Sequence, residues 1–286
     1  MLTVLAFATL AATTVGTATG RAPWWLVVPV NICAFYVMFG VGHEALHYAI
    51  SSTRWVNGAV GRLAWGAFMP WAAFPSWRYI HVQHHQHVNE LGRDPDLFAT
   101  RGPKWRVMLG WAMTDFFYGA WYLRQLPRRW RSAWRRPAAE LAESVVTVPL
   151  WILINIFAIR TGNFWTLAIA WLIPQRLSYL LCAYVLIWRP HRGLHETQRQ
   201  NRYRATRIIV GLEWLGPTWV GSNYHLMHHL HPWLPFYRIR PAWLRNEEAY
   251  LEHGAAISTV LGRELSPDEY RKWKNPGQIQ SEAAAV

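Results

Sequence analysis

The sequence predicts an all-α integral membrane protein, with about four transmembrane helices in two hairpins beneath a cytosolic helical cap. Of its 286 residues 52% are hydrophobic and 16% charged, against the roughly 25% charged residues of a soluble globular domain. Twenty Trp, 12 Tyr and 11 Phe supply amphipathic rings of the kind that collect at a bilayer–water boundary. Apolar stretches of spanning length come in pairs, each pair joined by a short polar turn.

In chain order, Leu2 to Gly20 and Trp24 to Gly42 form the first pair, joined by Arg21-Ala22-Pro23. About Ser144 to Ile159 and Phe164 to Trp188 form the second, joined by Arg160-Thr161-Gly162-Asn163. Each is near or above the roughly 17–25 residues that a spanning helix needs. Residues 1–20 carry no charged side chain, so they lack the basic start of a secretory signal and are expected to form a retained span. Pro174, Gln175 and Arg176 interrupt the fourth stretch. A buried Arg is costly in hydrocarbon, so this helix is expected to project beyond the bilayer.

Between the hairpins, residues 57–75 and 105–123 are apolar but carry Arg62, Pro70, Pro75, Arg106 and Asp115. That mixture suits helices lying on the interface, with Trp65, Trp71 and Trp77 as aromatic anchors. The run Arg124 to Arg136 lies beside a span and reads as an anchor to anionic lipid rather than a nucleic-acid site. Ser266-Pro267-Asp268-Glu269 has the order of a helix start, with Ser as N-cap, Pro first and Glu third. It belongs to a cytosolic tail of about residues 246–286, polar and Ala-rich after Pro276. The whole reads as one domain, 1–286, with its core at about 40–245.

The 29 Lys and Arg against 16 Asp and Glu are distributed by position. Residues 43–142 and 176–286 hold 27 of the 29 basic side chains, so these segments, and with them both termini, are expected on the cytoplasmic side. Cys33 and Cys182 are the two cysteines, both in apolar stretches. They exclude a disulfide framework and a Cys-based zinc or iron–sulfur motif.

Thirteen histidines carry the chemistry. His43 and His47 stand as H-E-A-L-H just after the second span, His81, His84 and His85 as H-V-Q-H-H, and His225, His228 and His229 as H-L-M-H-H. On a helix, positions i, i+3 and i+4 share a face. Neutral imidazole is a good ligand for iron, copper, zinc or nickel, and eight rings exceed what one tetrahedral ion can use, so two ions are implied. His43-Glu44-Ala45-Leu46-His47 also fits the zinc-protease motif H-E-x-x-H, but that reading leaves both H-x-x-H-H groups without work. A metal transporter would line a route through the bilayer with His, whereas these flank the spans.

With its three boxes in this order, the chain resembles the membrane fatty acid desaturase and hydroxylase superfamily from about residue 40 to 245. Asn57-Gly58 with Gly61-Arg62, Arg78-Tyr79-Ile80-His81 to Asn89, Asp94-Pro95-Asp96, and Asn223-Tyr224-His225 to Pro232 with Pro235-Phe236-Tyr237 resemble the branch of bacterial fatty acid desaturases and beta-carotene hydroxylases. The resemblance implies a non-haem di-iron centre held by the cap, which reduces O2 with two external electrons and abstracts hydrogen from an unactivated C–H bond. It implies His43, His47, His81, His84, His85, His225, His228 and His229 as metal ligands. A further ligand lies between the last span and the third box: His191 in Pro190-His191, with His195 as the other candidate. His87 is an additional or outer ligand, and Glu44, Asp94, Asp96 and Asn223 are expected to steady ligating rings. His231 and His253 are expected to pack.

The implied activity is desaturation of a lipid acyl chain, with hydroxylation of a carotenoid or another lipid as the alternative. The boxes do not distinguish these. The expected cofactors are two iron ions with O2 as co-substrate. The expected partners are a lipid in the membrane and an external electron donor such as a ferredoxin with its reductase, and no nucleic acid.

Overall fold

The computed structural model describes residues 1–211, 213 and 221–275; the Ala-rich end after Pro276 lies outside them. The described residues form two compact units, Met1–His84 with Pro95–Tyr184, and His85–Asp94 with the chain from Val185 onward.

The first unit is helical. Helices α1 (Leu2–Ala18) and α2 (Trp24–Leu46) form a hairpin, followed by α3 (Arg54–Phe68), α4 (Phe74–His87), α5 (Leu97–Thr100), α6 (Lys104–Ala112), α7 (Thr114–Ala133), α8 (Arg135–Arg160) and the long α9 (Phe164–His191). Helices α2, α8 and α9 are long and apolar enough to cross a membrane. At 17 residues α1 is shorter, spanning about 26 Å at 1.5 Å per residue. Three spans thus stand on length and composition, where the sequence suggests four.

Buried polar side chains fasten these helices. Thr13 donates to Asn31 Oδ1 at 2.9 Å, and the fully buried Asn31 donates to the Ala170 carbonyl at 2.6 Å. That carbonyl lies in a π-helical stretch of α9, Ala168–Leu172, where the wider turn disturbs the ordinary bonding ladder and a side chain can enter. The last carbonyls of α3 have no partner within their own helix; Gln175 Nε2 reaches that of Ala67 at 3.0 Å and the Tyr179 hydroxyl that of Phe68 at 2.8 Å. Arg176 is held by Asp115 through two bonds of 2.9 and 3.1 Å and by the Ala112 carbonyl. The helix runs on past Pro174 as one 28-residue element.

Trp65 and Trp77 do not lie at an interface as the sequence suggests. They are 1% and 2% exposed, and their rings stack at 3.5 Å in the core; Trp71 alone of the three is exposed. The expected interfacial stretch 57–75 is broken between α3 and α4 around Pro70, and 105–123 is broken at Met113.

The second unit departs from the all-α expectation. It contains a three-stranded sheet, with β1 (Arg207–Val210) parallel to β2 (Ala256–Thr259) in register Arg207 to Ala256, and β2 antiparallel to β3 (Glu264–Leu265). Helices α10 (His225–Leu230), α11 (Phe236–Arg245), α12 (Glu247–Glu252) and α13 (Pro267–Lys274) complete it. Ile208, Leu226, Met227, Trp243 and Ile257 form its core. The expected capping box is present: Ser266 accepts from Glu269 N–H at 3.2 Å and Glu269 accepts from Ser266 N–H at 2.9 Å.

Candidate metal centre

In the first unit, His43 lies one turn before the end of α2, and His47 follows its last residue. His81 and His84 lie on α4. One nitrogen from each of His43, His47 and His81 lies within 4.8 Å of the others, and the Nε2 atoms of His43 and His81 are 3.2 Å apart. Phe39 stacks on His43 at 5.8 Å and Trp77 packs near His81 at 5.8 Å, so aromatic walls back the rings. Burial, with His43 and Arg78 adding to it, holds the His47 pKa well below its usual range. His47 is therefore the neutral imidazole that metals bind.

His84 is buried, its Nδ1 3.5 Å from Asp96 Oδ2, and Asp96 accepts a bond of 2.9 Å from the Tyr118 hydroxyl. A carboxylate at Nδ1 favours the proton on that nitrogen and leaves Nε2 with its lone pair. Tyr118 is a contributor that sequence reasoning missed, although Tyr118 and Tyr122 share a face of α7 at i and i+4. Beside it, Tyr122 donates to Glu140 at 2.6 Å, and Arg129 donates to both Glu140 oxygens at 2.7 Å.

The second unit gathers five histidines: His85 from the end of α4, His191 from the end of α9, and His225, His228 and His229 from α10. Their Nε2 atoms approach in pairs, His191 to His225 at 3.1 Å, His225 to His229 at 3.0 Å and His85 to His228 at 3.0 Å. His85 also stacks on His229 at 4.1 Å. Two nitrogens bound to one ion by bonds of about 2.0–2.1 Å stand about 2.9–3.4 Å apart at cis or tetrahedral angles, which matches these separations. Nε2 of His225 faces two other Nε2 atoms, yet a ring nitrogen carries one proton or one lone pair. A cation among the three satisfies all of them, so the donor set fits a metal.

The remaining candidates divide. His191 joins its unit's cluster, whereas His195 is exposed. His87 Nδ1 lies 3.1 Å from Glu90 and belongs to neither group. Asp94 accepts the Asn89 N–H at 2.8 Å, and Asn89, at φ 63°, binds the Glu196 and Ala205 carbonyls at 2.9 Å. Asp94 therefore holds a turn of the second unit. Asn223 is buried, and neither polar atom of its side chain meets a hydrogen-bond partner among the described residues; a buried amide in this position calls for a polar guest. Glu44 is buried on α2 between His43 and His47. His231 bonds the Tyr250 hydroxyl at 3.0 Å and His253 stacks on Tyr203 at 4.6 Å, both packing roles.

The zinc-protease alternative is corrected. His43 and His47 are met by a third imidazole, His81, where that chemistry uses a carboxylate, and the comparisons point elsewhere. The profile of the family described as fatty acid desaturase matches residues 22–260. The chain is 25% identical over 258 residues to an sn-1 oleoyl-lipid 12-desaturase of Anabaena variabilis, covering 79% of this chain and 70% of that protein. It is 27% identical over 210 residues to a beta-carotene ketolase of a Paracoccus species, covering 71% and 72%. It is 26% identical over 263 residues to a dihydrorhizobitoxine desaturase of Bradyrhizobium elkanii, covering 82% and 71%. With three apolar helices of spanning length, two histidine groups fit for metal and a family match over most of its length, this chain is an oxidoreductase belonging to the fatty acid desaturase family.

Proposed function

We propose that the enzyme is a membrane-bound non-haem di-iron oxidoreductase that desaturates an acyl chain of a lipid. The observation that carries this reading is the histidine set itself. Four rings in the first unit and five in the second exceed the donors that one ion takes, and an all-nitrogen set suits iron rather than magnesium or calcium. In this proposal His43, His47, His81, His84, His85, His191, His225, His228 and His229 hold two irons. Bound iron would supply the activation of O2, with two electrons delivered from outside.

The protein's own residues do the rest. Asp96, steadied by Tyr118, keeps His84 in one tautomer, and Glu44 and Asn223 are positioned to orient groups beside the boxes. Asp94 acts through the Asn89 turn. His87 and His195 serve as outer groups. The apolar spans bring a lipid substrate to the site laterally, and the chain works as one catalytic domain. We assign α1 as a fourth span, with the boxes and both termini on the cytoplasmic side. The excess of basic side chains there suits an acidic ferredoxin-type donor.

The ketolase relatives favour a second reading, oxygenation of a carotenoid on the same scaffold. Mass spectrometry of total lipids and pigments separates the two, using cells that express wild type or His228→Ala with a reductase system and both precursors. Loss of two hydrogens from acyl chains in the wild type alone supports desaturation, and gain of oxygen on a carotenoid supports the alternative. Purified protein holding one zinc and no iron would overturn both.

A further inference from the structure

Helix α7 exposes two stripes that the active site does not use. At about 100° per residue its circumference divides into three. One face carries Tyr118, Tyr122 and Arg129, which pack inward on Asp96, Glu140 and Tyr79; the Arg129 guanidinium lies 3.5 Å over the Tyr79 ring. A second carries Phe116, Leu123 and Trp130 at i, i+7 and i+14 and is continued by Trp134; these side chains are 62%, 59%, 46% and 56% exposed. The third carries Arg124, Arg128 and Arg131 at i, i+4 and i+7, continued by Arg135, all exposed. Among the described residues no ion pair involves these four, whereas Arg129 is paired with Glu140 at 2.7 Å. The stripes end where α8, an apolar helix of spanning length, begins at Arg135. Pro137 in its first turn cannot donate to the preceding turn, so the chain breaks there rather than continuing α7.

We propose that this face of α7 is a binding site for the phosphate of anionic phospholipids, with Arg124, Arg128, Arg131 and Arg135 as the phosphate ligands and Phe116, Leu123, Trp130 and Trp134 seated at the acyl boundary. An acidic protein would engage the arginines but leave the adjoining exposed aromatic stripe in water. A lipid leaflet satisfies both at once, because its hydrocarbon edge and its phosphates are adjacent layers. Guanidinium groups suit the partner, since their fork of donors matches phosphate oxygens. The inward clamp of Arg129, Tyr118 and Tyr122 fixes the rotation of α7 and keeps the two outer stripes in place.

The test uses the full chain reconstituted in phosphatidylcholine vesicles containing spin-labelled phosphatidylglycerol or spin-labelled phosphatidylcholine. Electron spin resonance then gives the motionally restricted fraction of each lipid. Wild type should favour phosphatidylglycerol by roughly 5-fold, the factor for about one fully engaged cation. About 1 M salt should abolish the preference, since screening then acts over about 3 Å. Replacing all four residues, Arg124→Gln, Arg128→Gln, Arg131→Gln and Arg135→Gln, should bring the ratio to about 1, and the fourfold Lys variant should keep most of it. An unchanged ratio in the Gln variant overturns the site, as does a wild type without preference. If the Gln variant keeps its lipid preference but accepts electrons more slowly from an acidic donor protein, the face is a protein dock and the proposal fails. Should the Gln variant fail to insert, the Lys variant and the salt dependence of the wild type still decide. Iron content and product analysis report on the proposed reaction separately, so either reading can fail while the other stands.

Discussion

Glu140→Ala should be among the most damaging single substitutions outside the histidine set. Glu140 is 8% exposed and accepts three short bonds, two of 2.7 Å from Arg129 and one of 2.6 Å from Tyr122. The two charged side chains are 13% and 10% exposed, so little water is present to take over when the carboxylate is removed. Breaking a buried pair by deleting one partner leaves the other charge uncompensated and costs about 3–5 kcal/mol. At about 2–4 °C per kcal/mol for a chain of this size, the melting temperature should fall by about 6–20 °C. Replacing both partners, Arg129→Met with Glu140→Ala, removes the stranded charge; what remains is chiefly the Tyr122 hydroxyl without its acceptor, about 1–3 kcal/mol. The assay is near-UV circular dichroism in detergent at one fixed scan rate, as a double-mutant cycle. The reasoning is refuted if the single variant melts within about 2 °C of wild type, or if the double variant is as unstable as the single. Burial and the bond to Glu140 push the Tyr122 pKa up to about 12. Neutral Tyr122 therefore contributes stability that is complete below its unfolded pKa near 10 and lost as pH rises through 12; wild type minus Tyr122→Phe should show that decline.

Asp96→Asn should lower bound iron or turnover by about 10–100-fold without changing membrane insertion, with Tyr118→Phe milder; elemental analysis of purified protein checks this, and full metal content in the Asn variant would remove Asp96 from the site. Gly61→Ala drives a β-carbon into the Phe74 ring, so it should cost about 1–3 kcal/mol by overpacking, and Phe74→Leu should recover part of the lost melting temperature. The Glu269 carboxyl is held below its ordinary 4.5 by the Ser266 N–H, with Arg263 assisting. Its contribution to α13 is thus present above about 4.5 and lost as pH falls through the lower folded value. Hydrogen-exchange protection of Pro267–Lys274 should drop on that limb in wild type, and a Glu269→Gln chain that shows the same drop would sink the assignment.

The histidine groups were legible because spacing of i, i+3 and i+4 is a property of sequence once a helix is granted. His191 separates from His195 only in three dimensions: one is buried against His225 at 3.1 Å and the other is exposed. The long apolar helices were legible from hydropathy, and the Ser266 cap from local chemistry. Trp65 and Trp77 were misplaced because aromatic richness is common to interfaces and cores, and their stacking depends on a contact between α3 and α4 that periodicity does not encode. The sheet was invisible for a related reason. Arg207–Val210 and Glu264–Leu265 are too short to announce themselves, and β1 finds its partner 49 residues further along, at Arg207 to Ala256. Tyr118 and Asp96 are linked across 22 residues, and no spacing rule joins them.

The two π-helical stretches of α9, Ala168–Leu172 and Ala183–Trp188, act as phase shifts in an otherwise regular screw. A π-turn is one residue more than its length in α-helix requires, so each advances every later side chain by about 100°. A helical wheel drawn from Phe164 therefore loses its phase before it reaches His191. Deleting one residue between Ala183 and Trp188 would restore the plain pitch and leave His191 facing His225, whereas deleting one from an α-helical turn of the same helix would swing it off by about a quarter turn. The helix is thus tolerant of a one-residue deletion at its π-turns, and deletions in its α-helical turns are the ones that the placement of His191 should least tolerate.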